Sequence, residues 1–504
     1  MKSMSKSEKF SANNKKAKLI TERIVEMIAL DYQLISIVED YGFKRVIAAA
    51  EDRYVLPSRK LLSQKLIPEL YANKKKLLIT EIKMDLENIK SISFTFDLWS
   101  SQAQQSYISL TCHYLTNKFK LKNKTLGCSY FPGEHTGNAI YNKIKTMIAE
   151  WNIEIENSNS NISIFFVTDN ARNISSALSH SGSNFEHISC TAHTLQLAID
   201  DAVKESNMTD LLKRCKAIVT HYNHSNIASE RLTETQKRML EQKDAILIDL
   251  PKIKKGQLLF ARDWNMIESY VILLKPVFEA TKELSREDTP TLSMALPTIY
   301  TIEAKLNLFL TSMTQNPGTC FAENLLRSMC KRFDVYKENK IYIIAMLVDP
   351  RFKGIMLNEY ESYITSEAEK YRYNDEIFSQ PSTSDELLTK ELENLNYSLW
   401  DILHQCSVSK KSTTATSINE VTIEIENYLK LKNIDPTADP LKWWEENYQT
   451  FPHLLPVIFK FLGIPGTSVC SERLFSGSGL TVSSRRTRLS PFLVEYLVFL
   501  HNNL

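Results

Sequence analysis

Apolar residues recur at helical spacing in the first part of the chain. The isoleucines of ITERIVEMIAL are four residues apart, which predicts an amphipathic helix beginning near Leu19. Pro57 interrupts the pattern before a second helical stretch at about 59–85. We therefore predict a helical region at 20–88, preceded at 1–19 by a Lys-rich, disordered tail without apolar periodicity.

The period of the pattern changes from helical spacing to two at Ser91. ISFTFDLW, QSYISLTCHYL and KFKLKNKTLGCSYF alternate apolar and polar residues between turn residues, which predicts three antiparallel strands. The nearly all-apolar ISIFFVTDN predicts a strand buried on both faces in a parallel pair, and HISCTAH predicts a further short strand. Helical patterns begin at Thr136, after Asp169 and at HTLQLAIDDAV. This order predicts a mixed α/β sheet at 89–205.

The rest of the chain reads as helical. Residues 206–435 show helical periodicity with little strand pattern, apart from a polar, flexible loop near 371–420 that is rich in Ser and Thr. In the closing region at 436–504, Asp439 and Pro440 predict a helix start. The last segment, PFLVEYLVFLHNN, is apolar nearly all round, which predicts a helix buried on every side, with a second chain as one candidate cover.

The composition indicates the general class of protein but says little about its function. Hydrophobic residues make up 43% of the chain and charged residues 24%, which is typical of a globular protein. No apolar run is long enough to span a bilayer, so no membrane partner is expected. The 8 cysteines include no C-x-x-C pair, which argues against a disulfide framework or a zinc finger of the usual spacing. A net charge of +2 indicates no particular partner.

Two aspartates follow predicted strands. Asp97 lies at the end of the first strand and Asp169 at the end of the fourth. Side chains at the carboxyl ends of neighbouring strands meet in one crevice, and two carboxylates held close together need a cation. Mg²⁺ and Mn²⁺ prefer oxygen ligands and suit such a site. A helix cap would equally explain Asp169, which precedes NARNISSAL, and Trp99 is expected to pack beside Asp97.

Several segments in the same order resemble the hAT superfamily of DNA transposases. They are TFDLWSS, VTDNARNI, CTAHTLQLAI and the closing LKWWEENYQTFPHLLPVIFKFLGIPGTSVCSERLFSGSGLTVSSRRTRLSP. VEDYGFKRVI, LLKPVFEATKELS and VDPRFK extend the resemblance over nearly the whole chain from about residue 20. The subgroup indicated is the zinc-finger BED domain-containing proteins derived from such elements.

The resemblance implies a ribonuclease-H-like catalytic domain that begins at 89–205, is interrupted by the helical insertion at 206–435 and is completed by a C-terminal dimerisation region at 436–504. It also implies a third catalytic acid, which matches Glu472 in SERLFS. Asp97, Asp169 and Glu472 would hold two Mg²⁺ or Mn²⁺ ions. The implied activity is cleavage and transfer of double-stranded DNA in the nucleus by a homodimer: nicking by water, hairpin formation by the freed hydroxyl, and joining to a target.

The CTAH motif is expected to support the acids. The resemblance places Cys190 and His193 beside the active site, with His193 in contact with the scissile phosphate. A zinc half-site is the alternative. A structural zinc site normally has four ligands, and no second C-x-x-C or H-x-x-x-H is visible, so no structural zinc is expected.

DNA contacts are expected at two further places. Trp264 resembles a family Trp that stacks on a flipped base, although the family usually has Arg directly before it, where this chain has Asp263 with Arg262 one position earlier. A core Trp is the alternative. Phosphate contacts are expected, unless the turn is only a solvated loop, from three arginines after the third acid: Arg485, Arg486 and Arg488.

Two functions remain open from the sequence. Family members often carry an N-terminal BED zinc finger, whereas the first cysteine here is Cys112. We therefore expect either a truncated gene model or a transposase relic that cannot find specific sites. The first function is a metal-dependent transposase with an intact acidic triad. The second is a domesticated nuclear regulator that binds DNA or dimerises while the acids are unused.

Overall fold

The computed structural model describes most of the chain. The described ranges are 8–11, 13–101, 104–155, 162–179, 185–241, 259–312, 316–354, 360–371, 420–474 and 489–504. The loop predicted near 371–420 lies outside them except at its two ends, and Arg485, Arg486 and Arg488 lie outside them entirely. Among the described helices, none combines the length and the apolar character that a membrane crossing needs.

A five-stranded mixed sheet forms the centre of the molecule. Its strands are β1 (Ser91–Ser100), β2 (Ser106–Leu115), β3 (Leu121–Tyr130), β4 (Ser163–Thr168) and β5 (Phe185–Ser189). They lie in the order β3-β2-β1-β4-β5. The pairs β1–β2 and β2–β3 are antiparallel, whereas β1–β4 and β4–β5 are parallel. The mixed sheet predicted from the change of period is confirmed.

The sheet separates two hydrophobic cores. Along β4, Ile164 and Phe166 pack into a core shared with the N-terminal helices, whereas Phe165 and Val167 pack into a core on the opposite face. All four side chains are buried, which explains why this strand has no apolar–polar alternation.

Four helices precede the sheet and cover one face. They are α1 (Lys15–Leu30), α2 (Tyr41–Ala50), α3 (Arg59–Leu61) and α4 (Ile67–Ile89), with a 3₁₀ turn at Ile35–Glu39 and a π turn at Leu62–Leu66. The polar tail predicted to reach residue 19 ends earlier. Helix α1 begins at Lys15 because the side chain of Asn14 accepts hydrogen bonds from the backbone N–H groups of Lys16 and Ala17.

The helices beyond β3 make up most of the remaining structure. Three alternate with the last strands: α5 (Gly137–Ala149), α6 (Arg172–Leu178) and α7 (Thr191–Glu205). The others are α8 (Thr209–His224), α9 (Asn226–Glu241), α10 (Ala261–Leu284), α11 (Ala295–Ser312), α12 (Thr319–Lys337), α13 (Lys340–Leu347), α14 (Glu361–Glu369), α15 (Glu420–Lys430), α16 (Pro440–Asn447), α17 (Leu455–Phe461) and α18 (Pro491–Asn503). Where the structure describes residues 206–435, it shows helices and no strand.

Helix α7 joins the sheet to the helical block. The carboxylate of Asp201 accepts hydrogen bonds from Ser328 at 2.8 Å and from Arg332 at 2.6 and 2.9 Å, both on α12. The hydroxyl of Thr194 lies 2.7 Å from the Tyr336 hydroxyl. These polar contacts fix the helical block against the helix that follows β5.

The C-terminal helix α18 is covered by its own chain. It packs against β3, α4 and α1. Val494 and Val498 pack with Tyr107 of β2, and Phe499 lies in the N-terminal core. The expectation of burial is confirmed for these residues, but a second chain is not needed to produce it. Phe492, in the first turn, is 68% exposed.

Candidate functional site

Asp97 lies within β1, which continues to Ser100, so the prediction that it ends the strand is wrong; Asp169 directly follows β4, the parallel neighbour of β1. Thr95 of β1 pairs with Val167 of β4, and each aspartate is two residues beyond that pair. Since side chains two residues apart in a strand share a face, the Asp97 carboxylate projects to the side of the sheet that Thr95 faces. The Oδ1 atom of Asp97 accepts a hydrogen bond from the Leu98 N–H at 2.7 Å.

Asp169 does not cap the helix that follows it. The N-cap of α6 is Ala171, which makes no side-chain capping bond. The Oδ1 atom of Asp169 instead accepts a hydrogen bond from the Ala171 N–H at 3.2 Å, in the turn before the helix. The helix-cap alternative is therefore wrong, and the carboxylate is half-buried at the strand end.

Glu472 reaches the same region through its neighbour Ser471. Residues 469–474 are helical, and the Ser471 hydroxyl lies 2.7 Å from the Thr95 hydroxyl. Both of these side chains are fully buried. The contact ties the turn carrying Glu472 to the strand carrying Asp97, and the Glu472 side chain itself is exposed.

The environment of Asp97 includes the negative charges of the other two acids. The pKa of the Asp97 carboxyl is raised from its usual range to about 7, chiefly because burial removes water from the charged form. The Leu98 N–H opposes the rise, whereas the negative charges of Asp169 and Glu472 add to it. Without a cation, Asp97 is therefore partly protonated near neutral pH.

The ligand types of Asp97, Asp169 and Glu472 suit a divalent metal ion, but their side chains are not arranged to bind one. Carboxylate oxygens are the donors that Mg²⁺ and Mn²⁺ prefer, and a cation would offset the mutual repulsion of Asp97, Asp169 and Glu472. Within the described ranges, however, no three His, Cys, Asp or Glu side chains are gathered closely enough to hold an ion. The exposed Glu472 side chain would have to turn toward the two aspartates.

Cys190 forms a hydrogen bond with Ser468, in the segment just before Glu472. Its backbone N–H donates to the Thr168 carbonyl at 2.7 Å, and its buried sulfur accepts a hydrogen bond from the Ser468 N–H at 3.3 Å. Burial raises the pKa of the Cys190 thiol. His193 lies half-buried in the first turn of α7, and its contact with a phosphate stays a prediction.

Two glycines of GIPGTS belong to this arrangement and were not singled out from the sequence. A Cβ on Gly463 would lie 2.7 Å from the backbone N of Leu115, and one on Gly466 would lie 2.8 Å from the Thr291 carbonyl oxygen. The Gly466 N–H also donates to the Thr291 hydroxyl at 2.9 Å. Paired glycines around a proline near a candidate acid are the sequence pattern that would have indicated this close backbone approach.

The first turn of α10 shows what the Asp263 side chain does in the position where the family usually has Arg. Its carboxylate is buried and accepts hydrogen bonds from Arg214 at 2.6 and 3.0 Å and from the Phe260 N–H at 2.8 Å. These donors lower the pKa of Asp263 to about 2, so its charge is paired inside the protein. Arg262 is exposed, and Trp264 is 54% exposed.

The core-Trp alternative for Trp264 is therefore wrong. Stacking of Trp264 on a base, and a DNA contact by Arg262, stay predictions. Trp99 is half-buried and stacks on the Tyr107 ring at a centroid distance of 5.0 Å; its packing beside Asp97 stays a prediction.

Two regions of the chain match known family models, and each contains part of the candidate site. Residues 95–193, which contain Asp97, Asp169, Cys190 and His193, match the family model of the ZBED1 RNase-like domain. Residues 424–504, which contain Glu472, match that of the hAT family C-terminal dimerisation region. Neither matched region is a BED zinc finger.

Curated relatives extend the similarity along the whole chain. Human zinc finger BED domain-containing protein 4 is 27% identical over 552 residues, covering 99% of this chain and 44% of the relative. The putative AC transposase of Zea mays is 23% identical, covering 92% and 62%. Mouse zinc finger BED domain-containing protein 6 is 24% identical, covering 97% and 56%. Over nearly its whole length the chain is therefore similar to hAT-family transposases and transposase-derived proteins, and it spans about half the length of these relatives.

Proposed function

We propose that the chain is a hAT-type DNA transposase, or a close derivative, that cleaves and transfers DNA strands with divalent metal ions in the nucleus. The observation that supports the proposal is that the segments carrying Asp97, Asp169 and Glu472 lie against one another. Asp97 lies in β1, Asp169 directly follows the adjacent strand β4, and the Thr95–Ser471 contact ties the turn carrying Glu472 to β1.

The three acids divide the work in this proposal. Asp97, within β1, and Asp169, directly after β4, would hold two Mg²⁺ or Mn²⁺ ions, and Glu472 would complete the ligand set by turning inward. Bound ions supply Lewis acids that activate the attacking oxygen and stabilise the leaving one. The elevated pKa of Asp97 means that metal binding there releases a proton near neutral pH.

The fold proposed for this activity is a ribonuclease-H-like domain with a helical insertion. The strand order β3-β2-β1-β4-β5, with three antiparallel strands followed by two parallel ones, supports it. The whole of 206–435 lies in sequence between Asp169 and Glu472, which this proposal assigns to one site. That arrangement is what an insertion within a single catalytic fold produces.

Double-stranded DNA is the proposed partner. Trp264 presents an exposed indole next to the exposed Arg262, while the intervening Asp263 is paired with Arg214 and adds no free charge to that surface. Phosphate contacts by Arg485, Arg486 and Arg488 belong to the same proposal, and no zinc is required.

A homodimer through the C-terminal region is also proposed. The support is the match to the hAT C-terminal dimerisation region together with the exposed Phe492 ring at the start of α18. Light scattering on the full chain tests it. A dimer that Phe492→Ala weakens supports the assignment, and a monomer at micromolar concentration removes it.

Incubation of the full chain with labelled duplex DNA and Mn²⁺ tests the enzymatic proposal. Nicking by the wild type that is lost in Asp97→Asn, and kept in Glu186→Gln at an exposed position of β5, supports it. Cleavage that survives Asp97→Asn contradicts it.

A DNA-binding or dimerising regulator with unused acids is the second candidate. The observation that favours it is that no metal-ready trio of acidic, His or Cys side chains exists within the described residues. A shift in the gel mobility of labelled DNA, without cleavage in Mn²⁺ or Mg²⁺, would support this second function over the first.

A further inference from the structure

A row of buried polar side chains crosses the sheet beneath the candidate site. It begins at Ser471, whose hydroxyl lies 2.7 Å from that of Thr95 on β1, and continues 2.5 Å to the Thr111 hydroxyl on β2. From Thr111 it passes 2.8 Å to Nε2 of His113, and Nδ1 of His113 lies 2.7 Å from Oδ1 of Asn123 on β3. The first four of these residues are at most 4% exposed.

The donors and acceptors in the row follow one direction. The amide nitrogen of Asn123 donates to the Glu287 carbonyl at 3.1 Å, so its Oδ1 is the atom that faces His113 and accepts from Nδ1. Burial lowers the pKa of His113 to about 4, so the ring is neutral and its Nε2 accepts from Thr111. Thr111 then accepts from Thr95, and Thr95 accepts from Ser471.

A second contact holds the other side of Glu472. Arg473 forms an ion pair with Glu287, and its Nη2 donates to the Ser285 carbonyl at 2.8 Å. Glu287 is also the residue whose carbonyl accepts from Asn123. Ser471 and Arg473, on either side of Glu472, are therefore held by the two ends of one chain of contacts. We call this chain the hydrogen-bonded circuit; it runs through Ser471, Thr95, Thr111, His113, Asn123, Glu287 and Arg473.

Burial makes the circuit sensitive to the loss of a single hydroxyl. A buried hydroxyl without a partner is costly, because it has lost water and gained nothing in exchange. Removing the Thr95 hydroxyl would leave both Ser471 and Thr111 short of a partner. Ser471 and Thr95 meet through their hydroxyl oxygens, so this polar contact ties the 469–474 helix directly to β1.

We infer that Thr95, Thr111, His113 and Ser471 are positioning residues that hold the 469–474 helix, and with it Glu472, at a fixed place relative to Asp97. They touch no reacting atom and act only through the placement of Glu472. The catalytic consequence rests on the proposed function. The anchoring of the helix does not.

Hydrogen exchange with peptide-level mass spectrometry on the full chain tests the anchoring without requiring activity. Thr95→Val replaces the hydroxyl by a methyl group of similar size, and Thr95→Ser keeps the hydroxyl. We expect exchange of the 469–474 amides to accelerate by about tenfold or more in Thr95→Val and to remain near wild type in Thr95→Ser. Exchange in α13, which carries none of the circuit's residues, provides the reference for global stability.

Ser471→Ala is the second variant, since it removes the other hydroxyl of the same contact. It should accelerate exchange as Thr95→Val does, and the double variant should add little, because both changes break one bond. Wild-type exchange in Thr95→Val, or equal acceleration in Thr95→Val and Thr95→Ser, would overturn the inference.

Cleavage kinetics separate this inference from the proposed function. If the wild type nicks DNA, Thr95→Val should lower kcat by about tenfold or more with KM for DNA unchanged, and Thr95→Ser should restore it. A lowered kcat that Thr95→Ser fails to restore would count against positioning by the hydroxyl. If the wild type does not nick DNA, the proposed function fails while the exchange results still decide the anchoring.

Discussion

The backbone N–H of Ser468 donates a hydrogen bond to the buried sulfur of Cys190 at 3.3 Å. These residues lie far apart in sequence, and their contact joins the start of α7 to the segment entering the 469–474 helix. The adjacent Thr191 N–H donates to the Gly466 carbonyl at 3.0 Å, so the two segments are joined twice.

Cys190→Ala should destabilise the protein, because it leaves the Ser468 N–H without an acceptor and opens a small cavity. We expect a loss of about 1–3 kcal/mol in the free energy of unfolding, measured by denaturant titration. Cys190→Ser keeps an acceptor and should lose less. Equal stability of the wild type and the Ala variant would show that the sulfur contact contributes nothing.

Gly466→Ala should be strongly unfavourable, because the new Cβ would lie 2.8 Å from the Thr291 carbonyl oxygen. Relief of that overlap should cost about 1–3 kcal/mol and lower the midpoint of thermal unfolding. Gly42→Ala in α2 is the control: nothing lies within 4 Å of its added Cβ, so the helix should be unchanged or slightly more stable. A Gly466→Ala protein as stable as wild type would contradict the close approach.

Stability should fall with rising pH because of Glu495 in α18. Burial, with the nearby charge of Glu150, raises the pKa of Glu495 to about 7, against the lowering effect of Lys143 and Lys75. The folded state therefore binds the proton more tightly than the unfolded state. The resulting stabilisation is complete below the unfolded pKa near 4.5 and is lost as the pH rises through about 7.

Glu495→Gln should flatten this pH dependence by about 1–3 kcal/mol between pH 5 and 8, measured as unfolding free energy across a pH series. Glu69→Gln, at an exposed position of α4, should leave the slope unchanged. An unaltered slope in Glu495→Gln would show that this carboxyl is already ionised in the folded state.

Trp264→Ala should weaken DNA binding without destabilising the fold, since the indole is 54% exposed. Loss of one stacked base is worth about 1–3 kcal/mol, and Trp264→Phe should recover part of it. Phe278→Ala is the matched control on the same helix, because this ring is 72% exposed and has no proposed contact with DNA. Equal affinities of the Trp264 and Phe278 variants, by fluorescence anisotropy with labelled duplex, would remove Trp264 from the interface.

The pattern of apolar and polar residues predicted the sheet well because it depends directly on which side chains are buried. The unbroken apolar run at Ile164–Val167 indicated a strand between two cores, and its side chains do alternate between them. Asp97 and Asp169 could be proposed as neighbours because Asp97 lies in one strand of that sheet and Asp169 directly follows another. The start of α1 was missed because it depends on one capping side chain, Asn14.

Long-range contacts were beyond the sequence for a physical reason. The pairing of Ser471 with Thr95, and of Asp263 with Arg214, joins residues whose proximity depends on how whole elements pack. No local periodicity records such packing. For the same reason the cover of α18 was left open, since an apolar helix looks alike whether its own chain or a second copy buries it.

Direct measurement of Mn²⁺ binding to the full chain is the most direct test of the claim that three acids converge on one metal site. Titration calorimetry should show binding by the wild type, a loss of about tenfold or more in affinity for each of Asp97→Asn, Asp169→Asn and Glu472→Gln, and no loss for Glu186→Gln. Wild-type affinity in Glu472→Gln would contradict the account, because the late glutamate would then take no part in the site.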